Sequence, residues 1–224
     1  MEQSRASPPR LTGNCQGAFT TSTIMNSSTI IWKLGADCNN DLNIRTAIDY
    51  FNGSFISKSL VDKWESPPIR VQGKSKRIRD FVSWMNSAPV VSEKAKKALD
   101  SLIGKHCEFL PLIKLRGKQF YAINVLTTLD CLDHAASQIL YAKDGPKHVI
   151  QISTYIFRND VIPKNIPIFK IPDDNFGAVF VQRPFVDAVI VNGLRGASFQ
   201  DPGLNPFVKI ARGESLNVIP DLPQ

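Results

Sequence analysis

The stretch SEKAKKALDSLI, residues 92–103, decides the fold class. Its apolar residues Ala95, Ala98, Leu99, Leu102 and Ile103 fall at i, i+3, i+4, i+7 and i+8, the spacing that lines one face of a helix. Ser92 is a competent N-cap, Glu93 stands where the helix dipole favours an acid, and Gly104 follows the last apolar position as a terminating glycine should. The pattern predicts an amphipathic helix whose two ends are specified locally.

Sheet signals surround that helix. Residues 106–115 (HCEFLPLIKL) and 119–126 (QFYAINVL) flank Arg116-Gly117-Lys118, a short glycine-bearing turn between two apolar runs, which is a β-hairpin pattern. Residues 29–34 (TIIWKL) read as a strand stopping at Gly35, with turn chemistry from Asp37, Asn39, Asn40 and Asp41 behind it. Residues 149–157 read as another strand. Pro163, Pro167 and Pro172 break up helix, while Ile166, Ile168, Phe169 and Ile171 keep that segment apolar enough for an edge strand. Two further helical pieces are expected. One is a short helix after Ser57, closed by Pro67-Pro68; the other is a turn or two starting near Asp130 or Asp133, covering Ala135, Ala136, Ile139 and Leu140.

The chain also echoes itself. A shift of 90 residues places Val91 on Val181, Ala98 on Ala188, Leu99 on Val189, Lys105 on Arg195 and Phe109 on Phe199 without a gap. In the second copy Pro184 suits a first helical turn, Phe185, Ala188 and Val189 supply the apolar face, and Asn192-Gly193 ends it. Ile and Val together number 37 against 17 Leu, a β-branched excess that favours sheet over a helical bundle. The expected architecture is α+β: a mixed or antiparallel sheet with a few packed helices, built as two pseudo-repeated strand-helix-strand halves.

At 224 residues the chain suits one large domain or two small ones, and it needs no staple. We expect a single α+β domain over 25–224, with halves at 25–145 and 146–224, preceded by a Ser/Pro/Thr/Gly-rich leader, 1–24, read as a flexible tail, a scar or an upstream misread. No apolar run reaches the roughly 18 residues a membrane helix needs, and residues 1–24 lack the continuous apolar core of a secretory signal. No membrane association and a cytoplasmic location are expected. Cys15, Cys38, Cys107 and Cys131 show no CxxC spacing, so reduced and mostly buried thiols are expected.

The net charge of +7 is concentrated, because Arg70, Lys74, Lys76, Arg77 and Arg79 stand within 70–79 without an acid. No stacking aromatic is interleaved with them, which disfavours a single-strand nucleic-acid site and leaves a solvated loop or a partner-docking patch. The densest polar group is Asp130, Asp133 and His134, with Ser137 one turn on. These could share a helical face and hold a metal or carry an enzyme's chemistry, but Asp130 or Asp133 equally suits an N-cap. His106, His134 and His148 lie in no HExxH, and no P-loop, GxGxxG or GxSxG is present. No cofactor is expected.

The order of features across 80–199 resembles a family of bacterial immunity proteins from polymorphic-toxin systems, long catalogued as a domain of unknown function. The matching residues are Ser92, Phe109 with Pro111, Gly117, Tyr121, Asn124 with Val125, Asp130 with Leu132 and Asp133, and Ser137. They continue through Ile168-Phe169, Phe185, Ala188 and Gly193-Leu194-Arg195-Gly196 to Phe199. The resemblance implies a non-enzymatic cytoplasmic binder that neutralises a cognate protein toxin, with Arg70, Lys74, Lys76, Arg77 and Arg79 as candidate docking residues. A basic chain is a poor mimic of nucleic acid in a basic nuclease cleft, so an acidic or mixed toxin surface is the expected partner. The alternatives are a nucleic-acid-associated protein using 70–79 and an enzyme centred on Asp130, Asp133 and His134.

Overall fold

The computed structural model describes residues 31–37, 43–45, 55–72, 78–84, 88–143, 145–174 and 177–204. The first strands are β1 (Ile31–Ala36), β2 (Asn43–Arg45), β3 (Arg70–Gln72), β4 (Phe81–Trp84) and β5 (Val90–Ser92). Helix α1 (Glu93–Ile103) follows, then β6 (Cys107–Pro111), β7 (Phe120–Val125), β8 (Gln138–Ala142), β9 (Gly145–Thr154) and β10 (Ile168–Phe169). The described chain closes with β11 (Val179–Gln182), α2 (Arg183–Val191) and β12 (Ala197–Gln200). The fold is α+β, as expected.

Helix α1 starts where its sequence says it should. The Ser92 hydroxyl accepts from the Ala95 amide at 3.2 Å, and Ala95, Leu99 and Ile103 are fully buried on the apolar face. Gly104 ends the helix for a different reason than expected. Its φ of −58° is right-handed, so glycine is needed there for space: a Cβ would lie 2.6 Å from the Asp100 carbonyl oxygen. In the hairpin turn, Leu115 and Lys118 pair across Arg116 and Gly117, whose φ angles are 48° and 79°. Positive φ at both central residues is what a tight, right-twisted hairpin requires.

The ninety-residue echo becomes geometry. One sheet runs β3-β2-β4-β5-β7-β6 and another β10-β11-β1-β12. Within them, β4-β5-β7-β6 and β10-β11-β1-β12 are antiparallel throughout, each a split β-α-β unit in which a helix links the two strands that flank a central one. Even the register repeats: Val91 faces Tyr121 and Phe109 faces Ile123 in the first unit, while Val181 faces Trp32 and Phe199 faces Leu34 in the second. The source of the central strand differs. β7 follows β6 directly, whereas β1 comes from the opposite end of the described chain. β1 also continues through Gly35 instead of stopping there, because Gly35 and Ala36 pair with Ser198 and Ala197.

Strand alternation then divides the buried residues among three cores. α1 and α2 meet in the first, where Leu99, Ile103, Phe185 and Val189 pack with Trp32, Phe81, Val91, Ile123 and Val181. The other face of the larger sheet buries Val82, Val90, Leu110 and Phe120 under a strap carrying Phe55 and Trp64. The smaller sheet's other face buries Ile31, Phe169 and Phe180 against Leu132, Ile152 and Tyr155. Both sheets are therefore covered on both faces, which is why runs such as Val179–Gln182 are buried at every residue.

Two expected helices are corrected. After Ser57 only a single 3-10 turn forms, Val61–Lys63, with Trp64 turned in beside Phe55 at a centroid separation of 6.1 Å. Residues 138–142 form strand β8 rather than helix, because Ile139 and Leu140 pair with Ile152 and Gln151 of β9. The edge strand expected around residues 166–171 is β10, at the border of its sheet. Cys107 and Cys131 are free and buried; Cys15, Cys38 and the leader lie outside the described residues.

Candidate functional site

The polar seam between the two units centres on Asp80, just before β4. Its Oδ1 accepts from the Ser92 hydroxyl at 2.8 Å, so the group that caps α1 is itself oriented by Asp80. Its Oδ2 accepts from the Arg195 amide at 3.0 Å and lies 4.0 Å from Lys94 Nζ. Backbone bonds fix both sides: Ser92 N–H donates to the Asp80 carbonyl within the first unit, and Phe81 N–H donates across the seam to the Arg195 carbonyl, at 2.8 and 2.9 Å. A carboxylate with this many donors is held in a fixed orientation.

Arg79 and Gly196 complete the joint. Arg79 Nη1 pairs with Asp37 Oδ2 at 2.7 Å, and the Asp37 amide donates to the Gly196 carbonyl at 2.8 Å. Gly196 has φ +94°, and a Cβ there would stand 2.5 Å from the Phe81 carbonyl oxygen and 2.9 Å from Arg79 Cβ. Only glycine satisfies both the left-handed backbone and the close approach. Over this joint opens a groove of about 670 Å³, lined by Asp37, Ile78, Arg79, Asp80, Lys118, Arg195, Gly196 and Ala197. A neighbouring hollow of about 380 Å³ shares Arg79, Asp80 and Lys118 and adds Glu93 and Lys94.

Of the basic residues singled out in 70–79, the structure brings one to this groove. Arg79 lines it, Arg70 sits exposed on the sheet-edge strand β3, and Lys74, Lys76 and Arg77 lie outside the described residues. Lys118 and Arg195 are its other cations. They sit in the hairpin turn, where Lys118 closes a short basic run with Lys114 and Arg116, and in the α2–β12 loop, where Arg195 has no charge run around it.

The Asp130, Asp133 and His134 constellation separates into three different engagements. Asp130 pairs with Arg158 at 2.9 Å. Asp133 Oδ1 accepts from the Ala135 and Ala136 amides, both at 3.0 Å, which is the capping role expected of it, although it caps a turn and not a helix. His134 Nε2 lies 2.7 Å from Asp173 Oδ1. Ser137 instead exchanges hydrogen bonds with the Ile156 backbone. Among the described residues no group of three or more His, Cys, Asp or Glu side chains gathers as a metal site would.

Buried titratable groups lie elsewhere. The Cys107 and Cys131 thiols are pushed up to about 12, chiefly by burial, so both are protonated and unreactive at neutral pH. His106 is lowered, first by burial and then by Lys105, and its Nδ1 lies 2.9 Å from Thr127 Oγ1. Lys170, fully buried just after β10, donates to the Phe55 carbonyl at 2.8 Å and so anchors the strap over the second core.

The family model of an immunity protein family (Imm11) matches residues 34–203. The chain has no match among curated proteins.

Proposed function

The chain belongs to the immunity protein family (Imm11), whose model covers both β-α-β units except the first three residues of β1, and from that premise we propose that it neutralises a cognate bacterial toxin by binding it stoichiometrically. The family match is the observation that carries this reading. Its support in the structure is the rigid mixed-charge groove at the seam, which offers fixed donors and acceptors of the kind that set register at protein interfaces. The polar residues from which an enzyme could be built here, Asp130, Asp133 and His134, are committed to separate structural partners. No helix among the described residues is long and apolar enough to cross a membrane. We place the encounter with the toxin in the cytoplasm of the producing cell or its kin.

An interface of about 1,200–2,000 Å² would suffice for such a complex, with affinity set by a few anchors rather than by area. The test is co-expression with the toxin encoded beside this chain, followed by titration of purified toxin activity. Inhibition is expected to reach completion at one chain per toxin, with a complex that co-elutes on size exclusion. Protection at far below one chain per toxin demands turnover and overturns the reading.

A further inference from the structure

We propose that the seam groove is a docking site for an acidic segment of the partner protein, with Lys118 and Arg195 as the two cations that receive its carboxylates. This rests on the immunity reading for the identity of the partner, and on the groove's own charge for the chemistry it accepts.

The groove's charged groups are engaged unequally. Arg79 is held by Asp37 at 2.7 Å. Lys94 donates to the Gly193 carbonyl at 3.2 Å and stands 4.0 Å from Asp80. Asp80 itself is occupied by Ser92 and the Arg195 amide. Lys118 and Arg195 differ from all of these: both side chains are exposed, and neither takes part in a salt bridge among the described residues.

Both cations also stand on backbone that is fixed without them. Lys118 pairs with Leu115 across the hairpin turn, with N–H to carbonyl bonds in both directions at 2.9 and 3.0 Å. Arg195 is clamped at its amide by Asp80 and at its carbonyl by the Phe81 amide. Two unspent cations on a preorganised frame lose little order on binding, and carboxylates are their natural complement.

The groove's acids select among anions. Asp37 and Asp80 line it beside the cations, so a uniformly charged phosphate backbone meets repulsion that a peptide carrying spaced carboxylates can avoid. Among the described residues the groove presents no exposed aromatic on which a base would stack; Phe120, at the neighbouring hollow, is fully buried. An acidic protein segment is the better fit.

The experiment uses the full chain and two probes that need no toxin: a short fluorescein-labelled peptide of alternating Glu and Gly, and a labelled single-stranded oligonucleotide of equal charge. Anisotropy at low salt is expected to show peptide binding that weakens about tenfold or more in the Lys118→Glu, Arg195→Glu double variant and with added salt. The reversal pair Lys143→Glu, Lys164→Glu, on exposed lysines away from the groove, should leave it unchanged. The milder Lys118→Gln, Arg195→Gln pair, checked for a native melting transition, covers the case in which reversal unfolds the chain. Equal peptide binding by the groove and control variants overturns the proposal, as does groove-dependent binding of the oligonucleotide alone. With toxin added, the groove variant should associate at least about tenfold more slowly. Unchanged association alongside full protection sinks the groove and leaves the immunity reading standing, whereas failure of the unaltered chain to protect sinks that reading and leaves the peptide result to judge the groove.

Discussion

In the first β-α-β unit the central strand β7 follows β6 through a turn of two left-handed residues; in the second, the equivalent strand β1 is supplied from the other end of the described chain. Strand order and pairing register are the same. The first unit can therefore form from contiguous sequence, but the second cannot close without a long-range contact, which is entropically costly before it is rewarded. Their helix starts differ as well. Ser92 caps α1 with its hydroxyl, whereas Gln182 gives α2 no side-chain cap. α2 instead has Pro184 in its first turn, where a missing N–H costs nothing. The Gln182 amide turns away to donate to the Pro163 and Ile166 carbonyls at 2.9 and 2.7 Å. The same topology is thus reached by a locally specified unit and by one that depends on the rest of the molecule.

The equivalent residues Trp32 and Tyr121 test that contrast most strongly. Trp32 is only 4% exposed in the shared core, and Trp32→Ala should cost about 3–5 kcal/mol in a reversible denaturant titration. Tyr121 is half-buried with Lys96 Nζ over its ring at 5.0 Å, so Tyr121→Ala should cost distinctly less. Equal losses would mean that the borrowed strand carries no special share of the stability.

A second test lies ninety residues beyond Asp80, at Lys170. Burial brings its pKa from 10.5 down to about 8, with nearby Asp174 opposing the shift. The folded state then gives up a proton that the unfolded chain keeps, so Lys170 contributes stability that rises with pH from about 8 to the ordinary lysine value, on the order of 3 kcal/mol. The buried Cys107 and Cys131 thiols, protonated in the folded state but ionising in the unfolded chain, pull stability the other way above about 9. Lys170→Met should remove its contribution and leave one of the same sign from Lys33, whose pKa is also lowered by burial. The stability of the unaltered chain minus that of Lys170→Met, followed by denaturant titration across this range, should rise with pH; a difference without slope would exclude an ionisable Lys170 in the folded core.

The smallest effect belongs to the caps. Ser92→Ala should lose about 0.5–2 kcal/mol and speed amide exchange at Ala95. Gln182→Ala should instead loosen residues 163–167 and leave the first-turn amides of α2 unchanged. Faster exchange in the first turn of α2 would show that Gln182 caps that helix after all.

The first unit was largely legible. Residues 92–103, their cap and the hairpin around Gly117 follow from periodicity and turn chemistry because every deciding interaction lies within a few residues. The β8 strand was misread because Ala135, Ala136, Ile139 and Leu140 have helical spacing, yet only β9 supplies partners for that backbone. The candidate site was legible in one residue, Arg79, since a charge run is visible in a linear sequence. Lys118 and Arg195 were not: the short basic run of Lys114, Arg116 and Lys118 reads as a hairpin turn, Arg195 stands alone in its loop, and the two line one groove only across the seam.

By itself, then, the sequence determined the α+β class, the helix at residues 92–103 with its N-cap, the hairpin and the existence of a ninety-residue echo, all of which rest on short-range sterics and hydrophobic periodicity. Tertiary structure alone decided that β1 completes the second unit, that Asp80 joins the units, and that two cations with no salt bridge among the described residues share a groove. Those facts depend on which strand edges and carboxylates meet across the full length of the chain, and no local pattern encodes such a meeting.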